Sequence, residues 1–316
     1  CSRRLDTHAS PKHEACGIFW AGSRQYSVTV TLTNPFEFLQ RNADTNPAGI
    51  FSRSADETLT NAEAVETVKK LAYELRRLGV KAGDIVALHL PDQLSILFTE
   101  ALFHEGAIST VIPNGVSAEG LFAVSWIFTS SSTPTPQGDA RIVTVDRQFL
   151  QHVEENPYGI RPSDAPLDTL RIVFSSGTTG TPKAIALGRA MEQSLDAALE
   201  TWFQGGPSMT LMDTGTAWGV GEFYLSVKGG QPYLCASGAG ADTIIRLAAE
   251  NGVRMLKGSP QQLAAVIDRL AERGETLSGV NTVVVAGTVM PPGVATRARE
   301  VFEGCAIVVN YGSTEA

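Results

Sequence analysis

Between Asn61 and Val80, the residues Val65, Val68, Leu71, Ala72, Leu75 and Leu78 recur at three- and four-residue steps, with mostly polar residues between them. One face of an amphipathic helix accounts for that spacing, and Gly79 suits a left-handed cap at its end. The period then shortens. Asp84-Ile-Val-Ala-Leu-His-Leu90 reads as a strand stopped by Pro91, a helix follows through Phe103 to Gly106, and Ile108–Pro113 reads as another strand. In the second half, strands are expected at Leu170–Phe174, Val253–Leu256, Thr282–Val285 and Ala306–Val309. Helices are expected over Asp242–Glu250, after Ser259-Pro260 (carrying Leu263, Val266, Ile267 and Leu270), and over Pro292–Phe302. Strand, helix, strand with short turns predicts βαβ units and parallel pairing. The expected fold is α/β, with two packed subdomains over 34–168 and 169–316, each a mostly parallel sheet flanked by helices. Residues 1–33 follow neither period and are read as a leader of unknown role.

Composition narrows the function. The chain has 316 residues, enough for a substantial core, and 18% charged residues, as in ordinary globular proteins. A net charge of −8 argues against a general nucleic-acid surface, so any polyanion must be held by a local site. Cys1, Cys16, Cys235 and Cys305 form no CxxC pair, which favours free thiols and a cytoplasmic setting. No apolar run reaches the roughly 20 residues needed for a membrane span.

Three predicted strands run into loops of unusual chemistry: Ser175–Lys183 ("SSGTTGTPK"), Ala286-Gly287-Thr288, and Asn310-Tyr311-Gly312-Ser313-Thr314-Glu315. If the strands are parallel, loops leaving their carboxyl ends line one crevice. In the first loop, Gly177 and Gly180 let backbone N–H groups approach an anion. Hydroxyls of Ser175, Ser176, Thr178 and Thr179 and the charge of Lys183 reinforce such a nest. The competing reading is a flexible Ser/Gly linker. Thr129–Asp139 is a control of similar composition, with one glycine and no lysine, and is read as a linker. A Walker A loop is disfavoured, because Ala184 follows Lys183. In the last loop Glu315 is a hard oxygen ligand suited to Mg²⁺, and Tyr311 offers a flat face to a purine. Their plain alternatives are a surface acid and a strand-end core residue. The five histidines sit in no nucleophile motif and are read as structural or surface residues.

"FSSGTTGTPKAIAL" followed far downstream by "NYGSTEA" resembles the adenylate-forming superfamily: acyl-CoA synthetases, luciferases and adenylation domains of peptide synthetases. "LAYELRRLGVKAGDIVALHLPDQ" and "EALFHEGAISTVIPN" are similar to its first core segments, so the likeness covers roughly Asn34 to Ala316. The resemblance implies the N-terminal domain of an enzyme that joins a small carboxylic acid to AMP from MgATP, releasing pyrophosphate. The acyl group would then pass to CoA, or to the phosphopantetheine arm of a carrier protein. By the same resemblance the Ser175–Lys183 loop grips the β- and γ-phosphates, Thr314 contacts the α-phosphate, Glu315 binds Mg²⁺ and Tyr311 stacks on adenine. Ala286, Gly287 and Thr288 would line the adenine and acyl pocket. Met212–Gly219 would help choose the acid, with Asp213 able to meet an amino group and Trp218 and Gly219 at a pocket wall; a surface aspartate and a core tryptophan are the structural readings. Ala184 and Gly188-Arg189 depart from the family pattern. The family's ribose-binding aspartate and C-terminal lysine would lie beyond Ala316, so the chain is expected to be part of a longer enzyme. A non-catalytic nucleotide-binding module is the alternative of another class.

Overall fold

The computed structural model describes residues 35–113, 115–130, 137–157, 169–175, 182–188 and 206–310, all within the unit Leu32–Ala316. The expected leader lies outside the described residues. Helix α1 (Pro35–Thr45) and a short pair, β1 (Ile50–Arg53) and β2 (Thr58–Thr60), precede α2 (Asn61–Leu78). A capping box starts α2: Glu63 N–H donates to Thr60 Oγ1, and Thr60 N–H donates to Glu63 Oε2 at 2.8 Å. Gly79, at φ 97°, ends it in the left-handed conformation that its missing Cβ permits. The face with Val65, Val68, Leu71, Ala72 and Leu75 is buried, as its spacing predicts.

Next come β3 (Ile85–His89), α3 (Asp92–Glu105), β4 (Ile108–Thr110), β5 (Trp126–Thr129), β6 (Arg141–Thr144), α4 (Arg147–Glu154), β7 (Thr169–Ser175) and β8 (Lys183–Gly188). Their strands form one sheet in the order β6-β5-β3-β4-β7-β8, parallel throughout except for the antiparallel β7/β8 hairpin. β8 was not foreseen. Thr129 is also part of a buried strand rather than the start of a linker. Gln137, at the other end of that segment, is buried, accepts from Ala118 N–H and donates to Val116 O.

β9 (Ser208–Thr210), α5 (Ala217–Lys228), β10 (Tyr233–Leu234), α6 (Ala241–Glu250), β11 (Met255–Gly258), α7 (Pro260–Arg273), β12 (Thr282–Val285), α8 (Pro292–Val301) and β13 (Ala306–Val309) follow. The second large sheet is all-parallel, ordered β13-β12-β11-β9, and β10 joins β1 in a three-stranded sheet with β2. Ser259 and Gln262 cap α7 reciprocally, with Pro260 in its first turn. α6, α7 and α8 enclose one apolar core with the four-stranded sheet, centred on Leu256, Leu263, Val266 and Val283. α1, α2, α3 and α5 enclose a second with one face of the six-stranded sheet, around Val68, Leu88, Phe98, Phe128 and Phe223, and Ala87, Ile112, Ala118 and Ile127 form a smaller third cluster. The six-stranded sheet takes strands from both sides of residue 168, so the sheets meet between β8 and β9. α3 and α5 are buried almost all round, because a covered helix has no solvent face to keep polar.

Candidate functional site

The lysine loop is the connection of the β7/β8 hairpin. Ser175 and Lys183 are register partners at its base, with residues 176–182 between them. β7 runs parallel to β4, so this hairpin end lies on the edge where β3, β4 and β5 finish. Lys183 is exposed there. Ser176, Gly177, Thr178, Thr179 and Gly180 themselves lie outside the described residues, as do Tyr311, Gly312, Ser313, Thr314 and Glu315.

On the second sheet, β12 and β13 lead side by side into Ala286 and Asn310. Val285 pairs with Val309, and Asn310 N–H donates to Val285 O at 2.8 Å. Ala286 is buried and its N–H donates to Gly258 O, while Gly287 takes φ 85° and turns the chain outward. Ala286 and Asn310 are thus brought together, as are Ser175 and Lys183. These pairs belong to different sheets.

A pocket of about 390 Å³ lies at the ends of β3, β4 and β5 and takes one turn, the one after β9, from the second sheet; Ser175, Lys183, Ala286, Gly287, Thr288 and Asn310 are not among its lining residues. His89 and Asp92 enter it from the end of β3, Val111 and Pro113 from beyond β4, and Asp213 and Thr214 from the turn after β9. Asp213 is committed to that turn. Its Oδ1 accepts from Gly215 N–H at 2.6 Å, its Oδ2 from Ser237 Oγ at 3.2 Å, and its carbonyl from the Thr216 hydroxyl. Gly219 is needed for closeness rather than as a lining residue: a Cβ there would stand 2.0 Å from the Asp213 carbonyl oxygen. Gly219→Ala is therefore expected to push the turn off α5 and destabilise the fold by about 1–3 kcal/mol, measured as a lowered denaturant midpoint; an unchanged midpoint would contradict the close approach. Trp218 is half-buried, with its indole Nε1 buried and unpartnered among the described residues.

Asp92 escaped the sequence reading, although a carboxylate directly after Leu-Pro at a strand end was a usable signal. Burial is the main reason its carboxyl is pushed up to about 7, and the charge of Asp213 adds to it. Hydrogen bonds with Thr214 and Tyr233 and the charge of Arg171 act the other way. His89 was read as structural, yet it lines the pocket, and burial lowers its pKa, so the ring is neutral at pH 7. Behind the pocket, Arg171 is wholly buried. Its Nη1 donates to Thr99 Oγ1 at 3.0 Å and Ser109 Oγ at 3.1 Å, and Nε and Nη2 have no partner among the described residues.

Among the described residues no three His, Cys, Asp or Glu side chains cluster as a metal site, and no helix is long and apolar enough to cross a membrane. Cys235 and Cys305 are free and buried.

The family model described as "AMP-binding enzyme" matches residues 39–316. A feruloyl-CoA synthase from an Amycolatopsis species is 24% identical over 296 residues, covering 87% of this chain and 58% of that enzyme. N-(5-amino-5-carboxypentanoyl)-L-cysteinyl-D-valine synthase from Amycolatopsis lactamdurans is 26% identical over 279 residues, covering 82% of this chain but 7% of that protein. Among solved structures, the O-succinylbenzoate coenzyme A synthetase of Bacillus subtilis in complex with AMP superposes with a TM-score of 0.73 at 20% identity. That match covers 88% of this chain and 74% of the other, and at such identity it shows the fold.

Proposed function

Because the chain belongs to the AMP-binding enzyme family, we propose that it activates a small carboxylic acid with ATP, forming an acyl-adenylate and pyrophosphate, and that the acyl group then passes to the thiol of CoA. The observation that carries this reading is the β7/β8 hairpin, which sets Lys183 opposite Ser175 at the sheet edge where β3, β4 and β5 finish. The acid brings its own nucleophile, since a carboxyl group with a pKa of about 4 is ionised at neutral pH. That explains why no histidine base is required. The chain's task is alignment and neutralisation of phosphate charge. Backbone and hydroxyl donors of residues 175–180, with Lys183, hold the β- and γ-phosphates. Thr314 steadies the α-phosphate, and Tyr311 with Ala286, Gly287 and Thr288 borders the adenine. Glu315 is the ligand for Mg²⁺, which screens the phosphate charge when bound. The acid enters the pocket edged by Asp92, Asp213 and Thr214.

A second reading has an amino acid as substrate and a carrier protein as acceptor. It is favoured by the acidic pocket wall of Asp92 and Asp213, and the synthase from A. lactamdurans is named for a product that contains cysteinyl and valine units. Carboxylate-dependent ATP–pyrophosphate exchange, run on the full chain with fatty, aryl and amino acids, tests both. Exchange with fatty or aryl acids, followed by thioester formation on free CoA, supports the first; exchange confined to amino acids supports the second. ATP binding with no exchange for any acid would mark a non-catalytic nucleotide-binding module and overturn both.

A further inference from the structure

The roles proposed above leave out a buried ion pair. Lys257 Nζ meets Glu222 Oε2 at 2.6 Å, with side-chain exposures of 1% and 10%. Glu222 lies on α5, one helical turn beyond Trp218. Lys257 lies on β11, flanked by Thr210 of β9 and Val284 of β12. Strand alternation turns Leu256, Val283 and Val285 toward α6, α7 and α8, where they join the apolar core. It turns Lys257 to the opposite face, where the pair ties the sheet to α5.

Such a pair is a poor device for stability, because removing two charges from water offsets most of their attraction. Its best-attested use is to fix register. Apolar contacts are non-directional, so the Val220, Phe223 and Val227 side of α5 does not by itself select one axial position. A Lys–Glu contact at 2.6 Å does. What depends on that position is the turn leading into α5. Asp213 and Thr214 form one wall of the pocket, and Gly219 is pressed against the Asp213 carbonyl. At the other end of the tie, Gly258, next to Lys257, accepts from Ala286 N–H.

We propose that the Glu222–Lys257 pair is a positioning pair: it holds α5, and with it Asp213 and Thr214, in register with the carboxyl edge of the four-stranded sheet, and so sets the width of the acid pocket. The inference rests on the reading that this pocket receives the acid. Glu222→Asp keeps both charges but draws the carboxylate back by one methylene. It is expected to raise KM for the preferred acid roughly tenfold while KM for ATP stays at its wild-type value. In the Lys257→Met/Glu222→Met double variant the melting temperature should be kept or raised, yet KM for the acid should remain high. A double variant with the wild-type KM would reduce the pair to a structural feature and overturn the proposal. A readout independent of turnover is the indole ¹⁵N–¹H signal of Trp218, told apart from the other tryptophans by Trp218→Phe. It should shift in both variants, and an unmoved signal overturns the pair's role. An enzyme that exchanges with no acid counts instead against the proposed function, and the indole signal then decides the pair alone.

Discussion

Lys183→Ala is expected to slow carboxylate-dependent ATP–pyrophosphate exchange by about 10²–10³-fold. Lys183 is the first residue of β8, exposed, and paired through its backbone with Ser175. Alanine keeps that backbone register. The reaction loses a full positive charge where the hairpin would meet a polyanion, and charge-assisted hydrogen bonds to phosphate are the strong ones. Lys183→Arg should recover part of the rate, since it restores charge without the same point geometry. Glu315→Ala should slow exchange as well, and raise the Mg²⁺ concentration needed for half-maximal rate. Full exchange in Lys183→Ala would remove the hairpin from the phosphate site and, with it, the observation on which the proposed function rests.

Glu100→Gln is expected to stabilise the protein, by a margin that widens from pH 5 to pH 8. Glu100 lies on α3 with no exposed surface, and neither carboxylate oxygen has a hydrogen-bond partner among the described residues. Burial alone lifts its pKa from 4.5 to about 8. The folded state therefore holds this proton while the unfolded chain releases it above pH 4.5. Stability is full below the unfolded value and is lost as the pH rises toward 8. Across pH 5 to 8 the loss is on the order of 3 kcal/mol, and glutamine removes it. Asp92, lifted to about 7, acts in the same direction over a lower range. Denaturant titrations of both proteins at several pH values check the difference. A constant gap would mean that Glu100 ionises as freely in the folded protein as in water.

Much of the fold was legible because local rules and tertiary packing agree. α2 and α7 carry their own start and stop signals in Thr60/Glu63 with Gly79 and in Ser259/Gln262 with Gly274. Their apolar stripes match the buried faces. α3 and α5 show no stripe, since both are covered on nearly all sides, and the sequence reading placed no helix at all over Ala217–Lys228. β8 was hidden for a related reason. Its residues become a strand only by antiparallel pairing with β7, across the intervening residues 176–182. The site divided in the same way. Lys183 and Ser175 stand out by motif, whereas Asp92 does not. Its raised pKa comes from burial and from Asp213, over a hundred residues away in the chain.

The sequence by itself determined the helices with capped, periodic faces, the alternation that makes the large sheets mostly parallel, and the two loops whose spacing marks the family. Those features depend on neighbours a few residues apart. Only the tertiary structure decided that the turn after β9 reaches the pocket at the ends of β3, β4 and β5, that Gly219 must lack a side chain, and that Glu100, Arg171, Glu222 and Lys257 are buried. Each of these follows from groups distant in the chain being forced together, where removal from water changes what a charge costs and which partner it must keep.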